Sequence, residues 1–100
     1  MSFDKVNFDK VILRCFIENE VMDGFVDVLL AYPEQDLKIV SYPIQTHHLN
    51  LHDIQEKVSG FKAQMAFEIS LDQDQVEAML EYLKDHFSYQ FEKQLIPLLS

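Results

Sequence analysis

The stretch Val11-Ile12-Leu13-Arg14-Cys15-Phe16-Ile17 decides how this chain folds. It is rich in β-branched and aromatic residues, and it is largely apolar on both of its alternating faces, so it reads as a central strand. Downstream, Val21, Phe25, Val28 and Leu29 recur at helical offsets. Pro33 ends that helix, because the residue before a proline is pushed away from helical angles. Leu37–Tyr42 reads as a second strand closed by Pro43, and Ala63–Ser70 as a third. The third alternates, with Met65, Phe67 and Ile69 on one face and Gln64, Glu68 and Ser70 on the other. Asp72 then caps the clearest helix of the chain, with Gln75 reaching back to complete a capping box. Val76, Met79, Leu80, Leu83 and Phe87 form that helix's apolar face, and Tyr89–Leu95 alternates as a final strand that Pro97 stops.

The order β-α-β-β-α-β has one dominant solution. Two interleaved right-handed βαβ units give a ferredoxin-like α+β plait, a four-stranded antiparallel sheet with both helices on one face. The other face then has no cover. With Leu13, Cys15 and Ile17 turned to the helices, Ile12 and Phe16 point away from them, and Val40 and Tyr42 of the second strand are expected beside them. A solvated antiparallel sheet shows polar residues on its wet side, whereas contiguous apolar surface marks an interface. Ile12, Phe16, Val40 and Tyr42 are therefore the expected oligomer interface.

Composition limits what such a domain does. One hundred residues and 11.8 kDa allow one domain, residues 1–100, and 48% hydrophobic residues are enough to drive its folding. Seventeen acidic against 8 basic residues give a formal charge of −9, which argues against nucleic acid as a partner and against an anionic membrane surface. No apolar run approaches the roughly 20 residues of a membrane span, so no direct membrane insertion is expected. The N-terminus lacks a charged-then-apolar signal layout and the single cysteine, Cys15, cannot form an internal disulfide; the expected compartment is the cytoplasm. Two glycines, Gly24 and Gly60, cannot build a glycine-rich phosphate cradle. No serine stands in a nucleophile-elbow context, Cys15 reads as a buried small hydrophobe, and the acids fall mostly on helix exteriors or turns. The expectation is a non-enzyme, the alternative being a small enzyme with a site at a subunit cleft.

Chemistry concentrates in Ile44–Phe61, a connection far longer than a tight hairpin. It carries His47, His48 and His52; in a helix the last two would lie one turn apart, close enough to share a metal ion with Asp53 or Glu56. Imidazoles would favour a transition-metal ion such as Zn, Cu, Ni or Co, so a metal sensor or buffer is one functional alternative. Leu51–Val58 reads as a short amphipathic helix ended by Gly60, suited either to docking on a protein partner or to folding back over the sheet edge. The fourth histidine, His86, closes the second helix, where a cation complements the dipole.

The run Leu37-Lys38-Ile39-Val40-Ser41-Tyr42-Pro43-Ile44, the histidines after it and Gln55-Glu56-Lys57-Val58-Ser59-Gly60-Phe61 resemble a family of short, uncharacterised PII-like bacterial proteins. The likeness spans residues 10–98 and includes Leu29-Leu30 before Pro33 and the closing Ile96-Pro97. It implies a homo-oligomer, most simply a trimer, related to PII signalling proteins and CutA cation-tolerance proteins, and a family whose own members are often found near heavy-metal efflux genes. In those terms residues 1–9 are an N-terminal arm and residues 44–61 a T-loop-like insertion, with Gln55, Lys57 and Gly60 at the partner-binding positions. Lys57 stands where the family has glutamine and Phe61 where it has a basic residue. Asp85-His86-Phe87-Ser88-Tyr89 holds neither glycine nor lysine where PII proteins bind nucleotide, so ATP is not an expected cofactor. The function implied is a regulatory module that presents the insertion to a partner or small effector, linked to metal homeostasis.

Overall fold

A computed structural model describes residues 10–33, 36–47 and 61–98. Its elements are β1 (Lys10–Glu18), α1 (Met22–Leu30), β2 (Lys38–His47), β3 (Phe61–Asp72), α2 (Val76–His86) and β4 (Glu92–Leu98), with a 3-10 turn leading into each helix. The strands form one antiparallel sheet in the order β2-β3-β1-β4. This is the ferredoxin-like plait that the element order implied. β1 lies between β3 and β4, at the centre of the sheet.

Register sorts the strand residues into two faces. Leu13 pairs with Ile69, Cys15 with Phe67 and Ile17 with Met65. These residues face α1 and α2, and Leu13, Cys15, Ile17 and Ile69 are completely buried there. Phe25 of α1 centres the core, with its ring 5.0 Å from both Phe67 and Phe87 and 5.6 Å from Phe91. Met79 and Leu83 bring the apolar face of α2 onto the same cluster. The predicted capping box is present: the Asp72 backbone N–H donates to Gln75 Oε1 at 2.9 Å. Tyr82 ties the helices together by donating its hydroxyl to the Val28 carbonyl at 2.7 Å.

Both prolines read as strand terminators lie inside strands. β2 runs through Pro43 to His47, and β4 begins at Glu92, later than expected, and runs through Pro97 to Leu98. The physical reason is the same in each case: β2 and β4 are the sheet's edges, where a missing backbone N–H breaks no ladder bond. β3 also exceeds its expected span at both ends. As a result Ile44–His47 and Phe61 belong to the paired ladder and not to a loop.

Candidate functional site

The sheet face opposite the helices gathers the residues expected at an interface. Ile12 and Phe16 of β1 and Val40 and Tyr42 of β2 all lie on it, joined by Ile44 of β2 and by Ile96 and Leu98 of β4. Val40 is 46% and Leu98 39% exposed. Ala66 sits in register between Tyr42 and Phe16 and is fully buried although no helix covers it. A small residue there lets the two flanking rings close over the middle of the sheet.

Across the apolar centre of this face runs a polar row. Arg14 Nε donates to Glu68 Oε2 at 2.9 Å, Tyr42 donates its hydroxyl to the same oxygen at 2.6 Å, and Arg14 Nη1 donates to Gln94 Oε1 at 3.2 Å. The four residues occupy four different strands, so the row crosses the whole sheet. Hydrogen bonds from Tyr42 and then from Arg14 hold the Glu68 carboxyl below the usual carboxylate range. Donation to Glu68 raises the Tyr42 phenol above its ordinary value of 10.0. The sequence places Tyr42 at the expected oligomer interface and Glu68 on the polar face of its strand, and it singles out neither Arg14 nor Gln94. The available signal was Arg14 itself, the only arginine of the chain, set inside an otherwise apolar strand.

His47 ends β2, exposed and paired in register with Phe61. His48, His52, Gln55, Lys57 and Gly60, together with the short helix read at Leu51–Val58 and the arm 1–9, lie outside the described residues. Among the described residues no three His, Cys, Asp or Glu side chains are grouped to hold a metal ion. His86 closes α2 as expected and stacks on Tyr82, ring centroids 4.4 Å apart. Cys15 is buried, and desolvation pushes its thiol up to about 12, which leaves it protonated and unreactive at neutral pH. A groove of about 680 Å³ separates α2 from the start of β4, lined by Leu80, Phe87, Tyr89 and Phe91. Lys93 also lines it, with Nζ 5.2 Å from the Phe91 ring centroid. No helix among the described residues is long and apolar enough to cross a membrane.

A plait with one helix-covered face and one apolar open face belongs to the class of α+β proteins built like PII and CutA. CutA from Synechococcus elongatus is similar at 15% identity, with 92% of this chain and 79% of that one covered and a TM-score of 0.62. Arabidopsis thaliana PII bound to citrate is similar at 12% identity, with 91% and 78% covered and a TM-score of 0.57. Residues 8–93 match the protein family of unknown function DUF3240, and the chain belongs to that family. A crystal structure of a DUF3240 protein from Shewanella baltica overlaps at 17% identity, 92% of both chains and a TM-score of 0.70. No curated protein matches the chain.

Proposed function

We propose that this protein is a PII-like regulatory module, a homo-oligomer and most simply a trimer, that presents the β2–β3 connection to a partner protein or small effector. The observation that carries this reading is the length of the β2–β3 ladder. β1 leaves the sheet at the Glu18–Gln64 rung, while β2 and β3 stay paired through Gln45–Ala63 and Thr46–Lys62 to His47–Phe61. Three rungs at about 3.4 Å each carry the connection roughly 10 Å beyond the strand that anchors it. A hydrogen bond from Thr46 Oγ1 to Gln64 Oε1, 2.8 Å long, stiffens this arm. A long connection on a stiff arm reaches a partner without disturbing the core, and an oligomer displays several copies at once.

The link to metal homeostasis rests on the histidines at the arm's exit. His47 is the last paired residue of β2, and His48 and His52 follow it in sequence. In this reading a transition-metal ion is the effector that changes which partner the connection fits. Native mass spectrometry of the intact chain tests the assembly. Titration with Zn²⁺ and Ni²⁺ tests the effector, and binding should be lost in the His47→Ala/His48→Ala/His52→Ala variant. Unchanged metal affinity in that variant removes the metal from the reading, and a persistent monomer removes the module.

A further inference from the structure

The open face differs in charge from the rest of the molecule. It carries Lys10, Arg14, Lys38 and Lys62, half of the chain's 8 basic residues. Its acids are Glu18, Glu68, Asp72 and Glu92, so the face is formally neutral on a chain of charge −9. Away from it the described bases are only Lys84 and Lys93, while the outer sides of the helices carry Asp23, Asp27, Glu77, Glu81 and Asp85. Two copies approaching helix-first repel each other, and two copies approaching by their open faces do not.

Edge-to-edge growth of the sheet is opposed as well. Pro43 in β2 and Pro97 in β4 each deny a neighbouring strand a backbone donor, which is how natural sheets blunt their edges. The neutral face, and not either edge, is the surface that fits a second copy of this chain.

The polar row has bonding capacity left over within one chain. Among the described residues Glu68 receives both of its bonds on Oε2 and none on Oε1. Among the described residues Arg14 donates through Nε and Nη1 and not through Nη2, and Gln94 accepts through Oε1 while its amide N–H groups donate to nothing. Groups of this kind, if covered by apolar surface alone, would each lose their water without compensation. We infer that Arg14, Glu68 and Gln94 complete their hydrogen bonds with the same row of a second copy, and so fix the register in which the open faces meet. Apolar residues such as Ile12, Phe16, Val40 and Ile96 drive the contact without orienting it. The charged row accepts one alignment and rejects displaced ones, which would set Arg14 against Arg14 or Glu68 against Glu68.

This inference rests on the homo-oligomer proposed above, and a charge-exchange experiment separates the two. Arg14→Glu and Glu68→Arg each place like charges in the row of every copy. Each variant alone should raise the dissociation constant of the assembly about tenfold or more, read by sedimentation velocity. Mixing them should restore part of the assembly, with masses that contain both chains, because a row of two carboxylates then meets a row of two guanidinium groups in two of the three contacts of a trimer, while the third still sets like rows together. Arg14→Gln and Glu68→Gln, checked by near-UV circular dichroism, give the same direction of loss if a charge-reversed chain fails to fold. A wild-type protein that assembles while the single variants assemble equally well overturns the register role alone. So does a mixture that stays as weak as its components. A wild-type monomer overturns the oligomer and the register role together.

Discussion

The two faces of this sheet both carry apolar residues at their centre, and they use them differently. The helix-covered face is sealed inside one chain: Leu13, Cys15, Ile17 and Ile69 are wholly buried, and no polar side chain lies among them. The open face keeps Ile12, Phe16, Val40 and Tyr42 half-buried or exposed, and it interrupts them with the Tyr42–Glu68–Arg14–Gln94 row. A dry intramolecular core needs only shape and volume, since the chain connectivity already fixes which parts meet. A surface that meets a separate molecule must also be soluble beforehand and specific afterwards, and a neutral polar row within grease serves both needs.

The largest test of this contrast compares two phenylalanines. Phe25→Ala on the covered face removes a fully buried ring with aromatic neighbours at 5.0, 5.0 and 5.6 Å, and should cost about 3–5 kcal/mol in denaturant unfolding. Phe16→Ala on the open face should cost less than half of that in the folding of a single chain while weakening assembly. Equal folding losses at both sites would erase the distinction between the faces.

Cys15 sharpens the dry side of the comparison. Cys15→Ser places a hydroxyl among described core residues of which none is polar, and should destabilise by about 1–3 kcal/mol, measured by the unfolding midpoint. The wild-type thiol should react with Ellman's reagent only after denaturant is added. Rapid reaction in the native protein would show that the covered face is not sealed.

The polar row gives a pH signature on the wet side. Glu68 is held below the usual carboxylate range, so its stabilising contribution is complete above that range and is lost as pH falls through its lowered folded-state value. Wild type should therefore unfold at higher denaturant than Glu68→Gln at neutral pH, with the gap closing in acid. A gap that stays constant with pH would contradict the row. Tyr42 runs the other way: its raised pKa keeps its contribution present below pH 10 and loses it as pH climbs through the folded-state value. Ultraviolet titration should show a late tyrosine phase that Tyr42→Phe removes.

The smallest effect concerns the helix cover. Gln75→Ala deprives the Asp72 backbone N–H of its acceptor and should cost about 1 kcal/mol, read in thermal unfolding. It should leave assembly unchanged, because Gln75 lies off the open face. Loss of assembly would mean that the two faces are not independent.

The core was legible in the sequence because period-2 and period-3.6 patterning report burial directly. Met65, Phe67 and Ile69, and Met79 and Leu83, fall where their spacing puts them. The capping box was equally legible, being local in sequence. Pro43 and Pro97 misled because a proline's effect on a strand depends on whether the strand is an edge, and pairing partners set that from a distance. Glu68 and Arg14 stand 54 residues apart, and Arg14 and Gln94 80 apart, so the row becomes visible only once the register is fixed. The histidine-bearing connection was conspicuous in sequence, and of its candidate ligands only His47 lies in the described structure.

Sedimentation equilibrium at micromolar concentration tests the central claim most directly, run on the wild type beside Phe16→Glu and Leu30→Glu. Leu30 is 79% exposed on α1, away from the open face, and serves as the control for an added charge. Wild type and Leu30→Glu should both sediment as a multiple of 11.8 kDa, most simply threefold, and Phe16→Glu as a single chain. A wild-type mass of 11.8 kDa across the concentration range would contradict the account.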